Sequence, residues 1–145
     1  MPKVFLDTNV LAYACDADQP LKREQARDLL NSLSRDVPPC ISTQVLQEFF
    51  VTATRKMGVE PLQAKRIIHT FRQMETVLID PEDISHAIDG SVIWQISFWD
   101  ALILAAARKA RCTVLYSEDL NDGQVYDTIR VVNPFRSAHL GPRRS

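Results

Sequence analysis

Apolar positions along the chain fall into short blocks that switch between two periods. Val4-Phe5-Leu6 is an unbroken apolar run ending at Asp7, and it reads as a buried strand over 3–7. Apolar residues resume at Val10, Leu11 and Ala12, so Thr8–Tyr13 reads as the first turns of a helix. A longer helix opens at Asp18-Gln19-Pro20 and runs to about Leu33, with Ala26, Leu29, Leu30 and Leu33 as its apolar stripe. Asp36-Val37-Pro38-Pro39 breaks it. Cys40-Ile41 reads as a very short strand, after which Ser42 or Thr43 caps a helix to about Lys56 that carries Val45, Leu46, Phe49, Phe50 and Ala53. Gly58 closes that helix and Pro61 opens another over 62–74.

The second half repeats the alternation. The pattern predicts a strand over 76–79, helices over 82–94 and 99–110 with a break near 95–98, a strand over 113–116, a loop over 117–123 and a last strand over 128–132. Strands alternating with helices at these spacings predict an α/β fold, a central parallel β-sheet flanked by helices on both faces. Residues 1–135 are expected to form one domain, and residues 136–145 a frayed basic tail carrying Arg136, Arg143 and Arg144.

Composition narrows the class. A chain of 145 residues, 46% hydrophobic and 24% charged, can bury one core. No apolar run approaches the ~20 residues needed to span a bilayer, and no apolar leader precedes the first strand, so a cytoplasmic protein with no membrane partner is expected. Cys15, Cys40 and Cys112 lack CxxC spacing and suit reduced thiols. His69, His86 and His139 have no cysteine at ligand spacing, which argues against a zinc site. A formal net charge of -1 means that any polyanion-binding surface is a local patch.

The acids carry the candidate chemistry. In open parallel sheets, ligands sit outside the carboxyl ends of the strands. Asp7 ends the first strand, and Glu118 and Asp119 follow Val114-Leu115-Tyr116. Asp100 stands at the start of the helix WDALILAAARKA, and Glu48 lies within TQVLQEFFVTATRK. Each has a plain alternative. Asp7 and Asp100 fit helix N-caps. Glu48 lies off the centre of its apolar stripe, as a solvated residue would, and Glu118, Asp119 and Asp122 sit in a loop. Converging carboxylates repel and raise one another's pKa, and a hard cation with oxygen ligands relieves this. Mg²⁺ or Mn²⁺ held there can activate a water for in-line attack on a phosphodiester.

Four separated motifs, FLDTNVLAY, the helix glutamate in STQVLQEFF, FWDALILAAA and LYSEDLNDGQ, resemble in this order a PIN-domain ribonuclease, above all the VapC-type toxins of bacterial toxin–antitoxin pairs. The resemblance spans residues 3 to about 134. It implies a metal-dependent endoribonuclease whose acidic quartet is Asp7, Glu48, Asp100 and Asp119, with Mg²⁺ or Mn²⁺ as cofactor. Glu118 and Asp122 compete with Asp119 for the fourth place. Thr8, Asn9 and Ser117 match the family's polar residues and are expected to orient substrate or water. The implied partners are an RNA substrate, a cognate antitoxin protein and a second copy of the chain in a homodimer.

Other readings weigh less. A dehalogenase-like phosphatase wants a second aspartate where Asn9 stands, and a receiver domain wants an acid pair at the first strand and a lysine after the last. A non-catalytic PIN-fold scaffold binding RNA or protein is the alternative from a different class, and intact acids argue against it. Arg55, Lys56, Lys65, Arg66 and Arg72 are candidate phosphate contacts, and equally candidate solvated helix faces. Trp94, Phe98 and Trp99 are candidates for a dimer interface or for the core.

Overall fold

A computed structural model describes residues 2–135. The expected tail at 136–145 and its three arginines lie outside the described residues. Six strands form a single sheet: β1 (Val4–Leu6), β2 (Cys40–Ser42), β3 (Glu75–Val77), β4 (Val114–Tyr116), β5 (Val125–Tyr126) and β6 (Ile129–Val132). Their order is β3-β2-β1-β4-β6-β5, parallel throughout except for the β5–β6 pair. Six helices accompany them: α1 (Thr8–Ala14), α2 (Pro20–Ser32), α3 (Thr43–Arg55), α4 (Pro61–Thr70), α5 (Pro81–Trp94) and α6 (Phe98–Lys109).

The helix boundaries follow local chemistry. Pro20, Pro61 and Pro81 each occupy a first turn, where the missing N–H has no partner to lose. Ser42 accepts a hydrogen bond from the Val45 N–H and starts α3. Asp80 and Asp83 cap α5 reciprocally. Gly58, at φ +68°, takes the left-handed conformation just past α3, as expected of a glycine there. Gln95 adopts the same region at φ 53°, and the chain turns by 119° from α5 into α6.

The core lies where the strands meet the helices. Phe5, Leu6, Val10, Leu11, Ile41, Val45, Phe49, Leu115 and Val131 are fully or almost fully buried. Helix α1 packs on α2 and α3, α3 on α4, and α5 on α6, whose other face meets β2 and β6. Gly90 makes room for the Trp94 ring one turn later on the same helix, since a Cβ there would meet that ring at 2.9 Å, whereas Ala101 on α6 would stand at an ordinary 3.7 Å. No helix among the described residues is long and apolar enough to cross a membrane.

Three differences from the sequence reading are local. Strand β5 was not expected: it is two residues long and pairs with β6 through a tight turn in which Asp127 has φ 57°. Only the buried Tyr126 beside a turn-forming aspartate hints at it. Helix α4 stops at Thr70 and continues as a 3-10 turn over Phe71–Gln73, so the strand that follows begins one residue early. Leu78, expected within that strand, is exposed, and its carbonyl accepts from the Lys109 ammonium.

Sheet order sets the place for a site. From β1 the chain steps outward to β2 and β3, then returns to pair β4 against the other side of β1. The crevice beyond the carboxyl ends of β1 and β4 is therefore the switch point, where open α/β sheets bind ligands.

Candidate active site

Register brings the first two residues together. Val4, Phe5 and Leu6 pair with Val114, Leu115 and Tyr116, so the next residues on each strand, Asp7 and Ser117, fall side by side. The Asp7 N–H continues the ladder to the Tyr116 carbonyl at 3.0 Å. The Ser117 hydroxyl donates to Asp7 Oδ2 at 2.7 Å and accepts from the Asp119 N–H at 3.1 Å. One buried hydroxyl thus fixes the first acid and the loop that carries the last.

Asp7, Asp100 and Asp119 converge: one carboxylate oxygen from each lies within 4.8 Å of the others. Asp7 is only 3% exposed, Asp100 is half-buried and Asp119 lies at the open side. Glu48 comes close from α3. The Thr8 hydroxyl donates to its Oε1 at 2.6 Å, and the Gln44 amide donates to its Oε2 at 3.2 Å. Glu48 shares the helix face of buried Gln44, one turn before it, which the apolar stripe alone does not reveal. All four acids of the expected quartet gather at one edge of the sheet.

The cap readings resolve differently for the two aspartates. Asp7 does cap α1, accepting from the Thr8 N–H at 2.7 Å through Oδ1, while Oδ2 faces Ser117. Asp100 caps nothing. Ser97 is the N-cap of α6, and it accepts from the Asp100 N–H at 3.0 Å, which leaves Asp100 inside the first turn. Its carboxylate shares a hydrogen bond with the Ser97 side chain and lies beside Asp119 and Glu48.

The three candidates for the last acid also separate. Glu118 turns away: Tyr13 donates to it at 2.7 Å, and the Lys22 ammonium pairs with it at 3.0 Å. Asp122 accepts from the Asn133 N–H at 2.8 Å, at the far end of its loop. Asp119 alone joins the cluster, held by the Asn9 amide at 3.2 Å. Tyr13 and Lys22 escaped the sequence reading, because no spacing links α1, α2 and the loop after β4.

The field of the cluster follows from this crowding. Burial pushes Asp7 up from 3.8 to about 7, with Asp119 and Glu48 adding to the rise and the Ser117 and Thr8 hydrogen bonds opposing it. Burial also raises Asp100, with help from Asp119 and Glu48. It raises Asp119 too, where Glu118 and Glu48 add and Asn9 and Lys56 oppose. Buried carboxylates that resist ionisation together form a donor set of hard oxygens, which suits a divalent cation of the Mg²⁺ or Mn²⁺ type.

A groove of about 890 Å³ runs past Glu48 and Asp119. Thr8, Asn9, Tyr13, Gln44, Glu48, Lys56, Trp99 and Asp119 line it. Of the basic residues after Glu48, Lys56 borders the groove, whereas Arg66 is held by Gln63 on the surface of α4. Thr8 and Asn9 line the groove while holding acids, and Ser117 is fully buried beneath it. The aromatic cluster divides. Trp94 packs edge-on against Tyr126 toward the core, and Trp99 stands on the groove, 61% exposed.

Comparison with known proteins adds five findings. The model of the PIN domain family matches residues 4–125. The structure of VapC20 from Mycobacterium tuberculosis, a sarcin–ricin loop cleaving toxin, is similar at TM-score 0.66 and 23% identity, over 81% of this chain and 90% of that one. A toxin–antitoxin complex from Klebsiella pneumoniae is similar at TM-score 0.67 and 22% identity, over 91% and 98% of the respective chains. DNA-bound VapBC from Salmonella typhimurium is similar at TM-score 0.62 and 19% identity, over 92% and 99%. Among curated proteins, none matches the chain in sequence.

Proposed function

The chain belongs to the PIN domain family, and from that premise we propose that it is a metal-dependent endoribonuclease, the toxin of a type II toxin–antitoxin pair. The observation that carries the reading is the convergence of Asp7, Asp100 and Asp119 at the switch point of the sheet, with Glu48 beside them. Among the chain's structural neighbours, one is a sarcin–ricin loop cleaving toxin and another a toxin–antitoxin complex.

Asp7 and Asp100 would hold the principal Mg²⁺ or Mn²⁺, with Glu48 and Asp119 completing the shell directly or through water. Such an ion would supply Lewis acidity and lower the pKa of a bound water. The protein's own part is positioning. Ser117 fixes Asp7, Thr8 fixes Glu48 and Asn9 fixes Asp119, so the acids need little rearrangement when charge develops. The raised pKa of Asp7 belongs to the metal-free protein, and a cation held there would keep the same carboxylate ionised. Lys56, at the groove rim, offers a cation for a backbone phosphate.

The test is direct. Purified protein is expected to cleave RNA with Mg²⁺ or Mn²⁺ and to stop when EDTA is added. Expression is expected to arrest growth of a bacterial host, and co-expression of the adjacent antitoxin gene to relieve it. Folded protein that leaves RNA intact under every divalent ion overturns the nuclease reading. Cleavage without growth arrest overturns only the toxin assignment.

A second expectation separates the paired acids. Asp119→Asn should lower cleavage by at least roughly 10-fold, the lower end of the loss that follows removal of a group that supports a metal ligand. Glu118→Gln should retain most activity but lower stability by about 1–2 kcal/mol, since it weakens a partly buried ion pair and a tyrosine hydrogen bond. Cleavage rates and melting curves of both variants check this, and the reverse pattern would move the fourth acid to Glu118.

A further inference from the structure

Trp99 is a large apolar ring, 61% exposed, on the wall of the acidic groove. It is peptide-bonded to Asp100, so it cannot move far from the carboxylate cluster. Two contacts fix it. Its ring packs edge-on against Phe98 at 5.1 Å between centroids, and its carbonyl accepts from the Gln44 amide at 3.1 Å. Phe98 in turn packs on the small apolar cluster of Ala87, Ala101 and Leu102 between α5 and α6. The same Gln44 amide nitrogen donates to Glu48, so one side chain ties Trp99 to the acids. An exposed aromatic surface is therefore presented beside the cluster, its backbone held by Gln44 and its ring edge by Phe98, and cationic Lys56 lines the same groove.

We propose that Trp99 is the stacking platform for an unpaired nucleobase next to the scissile phosphate, an inference that rests on the ribonuclease reading of the adjoining acids. Single-stranded RNA is gripped by stacking its splayed bases on aromatic side chains, while cations follow the backbone. Trp99 supplies the first element and Lys56 the second along one groove, and Glu48 and Asp119, which line it too, mark the place of cleavage beside Asp7 and Asp100. Every base has a π-face, so stacking here selects for an unpaired nucleotide more than for its identity. A base inside a continuous helix already has its neighbours on both faces and gains nothing from Trp99.

The test compares wild-type protein, Trp99→Leu and Trp99→Phe on a single-stranded RNA oligonucleotide with Mn²⁺. A matched series carries one abasic nucleotide at each position flanking the cleavage site. Trp99→Leu is expected to lower kcat/KM by roughly 10- to 100-fold on intact RNA. Trp99→Phe should recover most of that loss. At one abasic position, wild-type protein should fall to the rate of the leucine variant and the two should become equal. The rise in melting temperature with Mn²⁺ should be the same in all three proteins, because the metal ligands are untouched. Equal cleavage of intact RNA by wild type and Trp99→Leu overturns the inference while the ribonuclease reading stands. A loss that persists undiminished at every abasic position overturns it in favour of an effect through Asp100. Conversion of a dimer to a monomer by Trp99→Leu, seen by sedimentation, overturns it in favour of an interface between copies. Wild-type protein that cleaves no RNA overturns both readings together.

Discussion

Asp7→Asn is expected to abolish RNA cleavage while raising the stability of the metal-free protein. Asparagine fits the position. Its oxygen can still accept from the Thr8 N–H and keep the cap of α1. Its amide can donate to the Ser117 hydroxyl, which then accepts from Asp7's replacement as well as from the Asp119 N–H. What is lost is the charge at the most buried point of the cluster. Substituting an outer partner of a metal ligand costs roughly 10- to 100-fold, so loss of a proposed ligand should cost at least about 100-fold. Full activity in a folded Asp7→Asn protein would remove Asp7 from the mechanism.

The stability half has a pH signature whose sign is fixed. Asp7 ionises near 7 in the fold, against 3.8 ordinarily, so between these values the native state holds a proton that the unfolded chain releases. Stability of the metal-free protein therefore falls as pH rises through that window, and the full penalty is present above it. Asp100 and Asp119, raised by burial and by their acidic neighbours, push the same way. The shift at Asp7 caps its penalty at about 4 kcal/mol. Relaxation and water entry reduce this, and a gain of about 1–2 kcal/mol is expected for Asp7→Asn at neutral pH. In EDTA, wild-type protein should melt at a lower temperature near about pH 8 than near about pH 5.5, and Asp7→Asn should narrow the gap by roughly 3–6 °C. Parallel pH profiles for the two proteins would show that Asp7 is not under strain.

Much of this site was legible because its anchors are strand ends. A short apolar run terminating in an acid gives the strand, its direction and the position of Asp7 at once, and the same holds for Val114–Tyr116 with the loop behind it. Other parts depend on geometry that no local pattern encodes. That Asp119 rather than Glu118 enters the cluster is decided by Tyr13 and Lys22 on two other helices. Glu48 sits off the apolar stripe of α3, and its inward placement is set by a threonine hydroxyl from α1. Trp99 reads as core or interface by composition, and only the turn at Gln95 and the cap at Ser97 direct it to the groove. Strand β5 is too short to carry any periodicity.

Asp100→Asn is expected to remove most of the stabilisation that Mn²⁺ confers. The variant separates a ligand from a merely structural acid because Asp100 has no cap to lose: Ser97 performs that task. Its structural assets are a side-chain hydrogen bond with Ser97, which an asparagine oxygen can also accept, and a negative charge in the first turn of α6, worth about 0.3–1 kcal/mol against the helix dipole. Burial beside Asp119 and Glu48 works against that charge and raises its pKa, so in EDTA the two effects oppose and the melting temperature should barely change. With metal the balance differs. An ion that binds only the folded state stabilises it by about 2.7 kcal/mol when free metal is a hundredfold above its dissociation constant. For a chain of this size that corresponds to a rise of roughly 5–10 °C. A neutral amide is a poorer partner for a hard cation than a carboxylate, so Asp100→Asn should retain only a small part of the rise. Glu118→Gln, whose carboxylate faces Tyr13 and Lys22, should retain all of it. Melting scans across a Mn²⁺ titration at fixed ionic strength read the difference. Equal rises in wild type and Asp100→Asn would place the ion elsewhere and leave the convergence of the three aspartates without a cation to explain it.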